Sequence, residues 1–332
     1  MADVPMPTPQ PFLQGNGLAI SHLQFEFREA IAADAILAQV GRLWEASIVG
    51  DDDPTVEGAY GATAPPEYGA ASGSIVVGFR PELWASLDPG GVPPNLSSFT
   101  SDIRGNDGSL APATQRDLWV WLNQSSVDRL WDSIRKVRLV LGDIADLAEA
   151  RDCFTYHNSL TLDGFADGIG NPNPFRAPSV TVIPPGRPGA GGTTVLVQKW
   201  LMEVERLRAL TLPQGAAVYG RSKLKGHKLR PLPPRSHIAR NQFHDAQGGT
   251  IDIVRRNAYF GDAHETGVMF VGFSDDIEVT MGMLRQMYGV GPDGKPDVDA
   301  LLGYARAVSG AVYFVPSYEA LQRAGVVVED EP

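Results

Sequence analysis

The sequence predicts an α+β protein of two similar units, each an antiparallel sheet covered by helices on one side. Three observations lead there. Short apolar runs of strand length are interleaved with amphipathic stretches along the 332 residues. The strands and helices come in mixed order with long irregular connections, unlike the regular alternation of a parallel sheet. Finally, Gly73-Ser-Ile-Val-Val-Gly-Phe79 and Gly267-Val-Met-Phe-Val-Gly-Phe273 match at four of seven positions, and a helix is expected after each.

Residues 1–16, rich in Pro, Gln and Gly, read as a flexible arm. The first unit covers 17–158. Its expected strands are Leu18 to Phe27, Ser74 to Phe79, Arg116 to Leu122 and residues 151–158. Ile31, Ile36, Leu37, Val40, Leu43 and Trp44 recur at helical spacing and predict a helix from Ala30 to Ile48. Further helices are expected over Arg80 to Leu87 and Val127 to Val137, and loops over 50–72 and 88–113. The second unit covers 159–332. Strands are expected at Thr193 to Trp200, Ile251 to Ala258, Val268 to Phe273 and Ala311 to Val315, and helices at Met202 to Leu210 and Ile277 to Tyr288. A cleft between the units is the natural place for a ligand.

Composition narrows the function. The chain is 43% hydrophobic and 20% charged, so it can bury large cores. A formal net charge of −11 repels phosphates and anionic lipid heads, arguing against nucleic acid and membrane as partners. The single cysteine, Cys153, excludes an internal disulfide and a thiolate metal cluster and suits a reducing, cytoplasmic compartment. The amino terminus lacks a basic region followed by an apolar run, so no secretory signal is expected. Neither a Gly-x-Ser-x-Gly elbow nor a phosphate-binding P-loop occurs.

Four segments carry candidate chemistry, each with two readings open. Asp163-Gly-Phe-Ala-Asp167-Gly168-Ile169-Gly170-Asn171-Pro172 sets carboxylates among glycines. It is either a structural turn or a close-approach loop with a proton-moving carboxylate. It fails the calcium-loop pattern, because Phe165 and Pro174 stand where ligands are needed. Of the six histidines, His244 and His264 lie in polar loops and read as solvated. His237 is either a satisfied histidine or a single axial ligand to haem iron. Alternation puts Arg255 and Asn257 on one strand face, for a salt bridge or for a polar ligand. Asp299 opens an apolar helical stretch, as an N-cap or as the partner of a metal-bound histidine.

Together these segments resemble the dye-decolourising peroxidase family, in its shorter bacterial subgroup. Gly164-Phe-Ala-Asp167-Gly168 resembles its Gly-x-x-Asp-Gly signature. Ser236-His237 with Ala239-Arg240 resembles its proximal haem segment, and Ile253-Val-Arg255-Arg-Asn257 its distal arginine strand. The likeness runs from about residue 73 to 317, with Arg116 and Ser222 where His and Thr are more usual. It implies two ferredoxin-like domains, each a four-stranded antiparallel sheet, with haem b held between them, one per chain, mostly by the second. His237 would be the axial ligand and Asp299 its hydrogen-bond partner. Gly168, Ile169, Gly170 and Arg255 would contact the haem, and Asp167, Arg255 and Asn257 would be catalytic. The implied reaction reduces hydrogen peroxide and oxidises dyes, phenolics or similar small organic reductants, in a homo-oligomer. An aspartate stays a base in acid where an imidazole is protonated, so dye oxidation is expected to peak at acidic pH. The competing reading is a haem-binding protein for storage, delivery or iron release. Only 15 residues follow Ser317, which argues against cargo targeting to a nanocompartment.

Overall fold

The computed structural model describes residues 6–29, 31–44, 73–157, 159–223, 225–245 and 247–326. The loop expected over 50–72, the last residues of the first helix and the end of the carboxy-terminal tail lie outside the described residues.

The first unit runs β1 (Ala19–Phe27), α1 (Ala33–Gly41), β2 (Ser74–Phe79), α2 (Pro81–Leu87), β3 (Leu118–Gln124), α3 (Val127–Leu141) and β4 (Ala145–Phe154). Its strands lie in the order β4-β1-β3-β2. The second unit contributes β5 (Thr193–Met202), α4 (Leu212–Tyr219), α5 (His237–Arg240), β6 (Ala258–Gly261), β7 (Thr266–Ser274), α6 (Ile277–Met287) and β8 (Ala311–Val315), with strand order β8-β5-β7-β6. Numbered within each unit, both orders are 4-1-3-2. The repeat is therefore genuine, but the heptapeptide echo does not mark equivalent positions. Gly73–Phe79 is a second strand and Gly267–Phe273 a third. They look alike because both strands are largely buried and demand a continuous apolar run.

The two sheets are not separate. Phe79 pairs with Phe314, and Tyr259 with Phe154. These contacts join the edges into a closed ring, β4-β1-β3-β2-β8-β5-β7-β6. Closure removes exposed strand edges. The interior is filled by alternate residues of every strand, among them Trp119, Trp121, Val197, Val271, Phe273 and Tyr313. Trp121 packs on Phe273 at 5.8 Å and Trp119 on Tyr313 at 6.1 Å, so side chains of both units interlock. His22 stacks beside the two tryptophans and accepts a bond from Trp119 Nε1 at 3.3 Å. Burial pulls its pKa down to about 3, so it is neutral.

The expected flexible arm is docked over residues 6–16. Phe12 stacks on Phe273 at 5.0 Å, and the buried Gln10 bonds the backbone of Val77 and Pro316. Several boundaries also move. The fourth strand starts at Ala145, and the expected strand over Ile251–Ala258 is broken into Thr250–Ile251, Val254–Arg255 and β6.

Candidate active site

A cavity of about 340 Å³ is lined only by residues between Thr161 and Ala305. It therefore lies within the second unit and not, as expected, between the two. The reason is the closed barrel: edge-to-edge pairing joins the two sheets around a packed interior, so this cavity opens outside it. The cavity occupies the other face of the second sheet. Leu196, Gln198, Trp200 and Met202 of β5 line it, with Val268 and Phe270 of β7. Strand alternation sends Val195 and Val197 into the barrel instead. The far wall is α6, whose Thr280, Met283, Leu284 and Met287 follow the one-face helical spacing. Asp276 caps that helix by accepting from Glu278 N at 3.0 Å.

The glycine loop closes one side. Gly164 and Gly168 have φ of +89° and +71°, which glycine adopts without strain. A Cβ at Gly170 would stand 3.1 Å from Arg255 Nη2, so the small residue lets the loop lie against the guanidinium. Arg255 Nη2 donates to Gly170 O at 2.9 Å. Asn171 ties the loop to the arginine strand twice, donating to Arg255 O and accepting from Arg255 N, both at 2.9 Å. Asp167 is held from several directions. Gly168 N donates to its Oδ1 at 2.7 Å, and Asn257 Nδ2 reaches both carboxylate oxygens at 3.1 Å. Tyr259 OH donates to Oδ2 at 2.7 Å. Asp163 is buried and accepts from Tyr219 OH at 2.9 Å and Thr161 Oγ1 at 2.7 Å.

Arg255 is half-buried. Burial lowers its pKa below the usual guanidinium value, while Asp167 and Asp252 push it back up. Arg221 and Lys228 also line the cavity. Among the described residues, none of these three cations is within ion-pair distance of a carboxylate. Asn257 leaves its buried Oδ1 without a partner, as do Gln198 Nε2 and Thr280 Oγ1 in the same wall.

His237 enters the cavity from α5. Its Nδ1 lies 2.7 Å from Asp299 Oδ2, on a side chain with 0% exposure. The pair assigns the proton to Nδ1 and leaves the Nε2 lone pair free. Asp299 Oδ1 accepts from Leu301 N at 2.9 Å. Both readings of Asp299 hold together, cap and histidine partner, although the helix it caps is only the four-residue 3-10 turn Ala300–Gly303. Asn241 Nδ2 donates to His237 O at 2.9 Å and contacts Asp299 Oδ2 at 3.4 Å. Arg240, fully buried, donates to Gln286 O at 2.7 Å and to Asp293 at 2.9 Å, fastening α5 to α6.

The structure thus brings Asp167, Gly168, Ile169, Gly170, His237, Arg255 and Asn257 to one cavity, with Asp299 directly behind the histidine. Sequence reasoning did not find Tyr259, Tyr219, Asn241 or the anchoring role of Arg240. Tyr259 carried a usable signal, since it continues the alternation of Arg255 and Asn257.

Comparison with known proteins follows the same line. Residues 158–320 match the family profile Dyp-type peroxidase, C-terminal. The dye-decolorizing peroxidase of Brevibacterium linens is 31% identical over 253 residues, 75% of this chain and 68% of that one. That of Mycobacterium tuberculosis is 30% identical, covering 75% and 74%. DyPB from Rhodococcus jostii RHA1 superposes with a TM-score of 0.82 at 27% identity, over 96% of this chain and 99% of that one. A variant of that protein, solved in complex with heme, gives 0.82 at 26% identity, with the same coverage. A dyp-type peroxidase protein from Shewanella oneidensis, 24% identical with a TM-score of 0.83, over 96% and 99%, shares the fold.

Proposed function

We propose that this chain, which belongs to the dye-decolorizing peroxidase family and is a haem peroxidase, would hold one haem b per chain in this cavity with His237 as the iron ligand. The observation that carries the reading is the His237–Asp299 pair opening on the same cavity as Asp167, Arg255 and Asn257. The residues fit the group. The walls given by β5, β7 and α6 are mainly apolar, which suits a macrocycle. The free Nε2 suits a ferric iron, and an anionic carboxylate behind the ring makes the imidazole a stronger donor. Gly168, Ile169 and Gly170 let backbone approach a flat face. Arg221 and Lys228, cations without ion-pair partners among the described residues of an acidic protein, suit the haem carboxylates.

Bound haem supplies the redox chemistry, taking oxidising equivalents from hydrogen peroxide and passing them to an organic reductant. Asp167 takes the peroxide proton and delivers it to the departing oxygen, directly or through one water. Arg255 remains cationic and stabilises the negative charge that develops as the O–O bond breaks. Asn257 holds Asp167 through Nδ2 and offers its unpartnered Oδ1 to a water or to peroxide. Asp299 keeps the Nδ1 proton in place. Dyes and phenolics are the proposed reductants, and the enzyme is proposed to work as a cytoplasmic homo-oligomer.

Haem uptake tests the site. The unaltered protein should show a Soret band. His237→Ala should lose it while keeping the far-ultraviolet circular dichroism of the fold. A Soret band that survives unchanged in His237→Ala would remove this histidine as ligand.

A further inference from the structure

We propose that Tyr259 is a positioning residue that holds the Asp167 carboxylate through Oδ2 and regulates when it accepts a proton. The proposal rests on the reading of Asp167 as proton shuttle. A carboxylate offers about four lone-pair positions. In Asp167 all are engaged. Oδ1 takes Gly168 N–H at 2.7 Å and Asn257 Nδ2 at 3.1 Å, and Oδ2 takes Tyr259 OH at 2.7 Å and the same amide nitrogen at 3.1 Å. Among the described residues, protein donors thus occupy both oxygens of the carboxylate. One donor must yield before Asp167 can act.

The donors differ in their ability to yield. Gly168 N–H is fixed by the backbone. Asn257 shares one amide between two oxygens at long distance, so each contact is weak. Tyr259 makes the short bond to Oδ2, and its hydroxyl turns about the C–O bond without moving the ring. The ring itself is held: Tyr259 is 4% exposed and pairs with Val268 of β7 and Phe154 of β4, at the seam between the units. Burial, then Asp167, then Tyr219 and Asp163 raise its phenol well above the ordinary value, so it stays a donor. The charged and titratable groups around the carboxylate are Arg255, Arg221, Asp163, Asp252 and Tyr219. Arg255 and Arg221 also favour the anion, but neither bonds it among the described residues. Tyr259 is therefore the neutral, switchable donor.

A donor that bonds the charged form favours it. Removing the hydroxyl frees a lone pair on Oδ2 and raises the carboxylate's affinity for protons. Tyr259→Phe deletes one oxygen and keeps the ring. In the haem-loaded protein, the acid limb of the pH–rate profile for peroxide consumption should move to higher pH by roughly one to two units, as expected for loss of a hydrogen bond to a charged group. A second readout needs no turnover. Cyanide enters as its neutral acid and gives up a proton on binding, so its affinity for the ferric protein should lose its acid side at the same shifted pH. Asp167→Ala should abolish the limb in both measurements. An unmoved limb in Tyr259→Phe, with Asp167→Ala abolishing it, overturns the role of Tyr259 alone. A limb that persists in Asp167→Ala overturns the shuttle reading and the role of Tyr259 with it.

Discussion

At His237 the two imidazole nitrogens have different surroundings, and that difference is set by residues 62 positions apart in sequence. Nδ1 is committed to a fully buried carboxylate, and Nε2 is left to the cavity. Asp299→Ala removes the acceptor that orients the ring. Partners of this kind typically account for about 10–100-fold in affinity or activity. The expected result is a loss of that order in haem affinity, measured by haem transfer to an apo-globin acceptor, with the turn retained through the backbone bonds of Asp299 N to Met287 O and Ala300 N to Arg235 O. His237, Asp167, Arg255, Asn257 and Asp299 were legible because each stands in a local motif or beside one. Tyr219 and the clamp of Arg240 were not, because nothing local marks a side chain whose partner lies dozens of residues away. Tyr219 reaches Asp163 across 56 positions, and Arg240 reaches Gln286 across 46.

Single elements explain why those side chains hold still. The helix α5 has four residues, too few to persist alone. It is held by Arg240, buried completely and bonded to the end of α6 and to Asp293. Arg240→Met should lower the unfolding free energy by about 3 kcal/mol, the scale for breaking a buried charge pair, read from the urea midpoint. It should also weaken haem retention, because His237 sits on the same turn. The glycine loop is a second case. Gly170→Val places carbon about 3.1 Å from Arg255 Nη2, displaces the guanidinium and should slow peroxide consumption per bound haem, with haem content read from the Soret band. Strand and helix boundaries were less legible than motifs. The run Ile251–Ala258 reads as one strand because β-branched residues dominate its start. In the fold it breaks at Asp252–Ile253 and again at Arg256–Asn257. Asn171 bonds both backbone groups of Arg255, so a loop occupies the ladder position that a continuing strand would need.

At the scale of the whole molecule, the closed barrel couples units that the sequence presents as separate. Among the described residues, single residue pairs join β2 to β8 and β4 to β6. The aromatic interior nevertheless spans both units. One cooperative unfolding transition is therefore expected for the described core, with tryptophan fluorescence and far-ultraviolet circular dichroism coinciding. His22 in that interior makes the fold sensitive to acid. Its folded pKa is depressed to about 3 from 6.5. The unfolded chain therefore binds an extra proton between those values, and stability falls as pH drops through that window. The slope from this one group is at most about 1.4 kcal/mol per pH unit. His22→Gln, which keeps an acceptor for Trp119, should flatten it in urea titrations. The ring closure itself was not legible, because edge pairing between units leaves no trace in the periodicity of either strand. The central claim is that the haem-loaded protein turns over peroxide through Asp167 and Arg255. Stopped-flow absorption after mixing with hydrogen peroxide tests it most directly, comparing the unaltered protein with Asp167→Ala and Arg255→Ala. The account predicts a rapid Soret change in the unaltered protein, haem retained in both variants, and a slowing of about a hundredfold or more in at least one. Unchanged rates in both haem-loaded variants would contradict it.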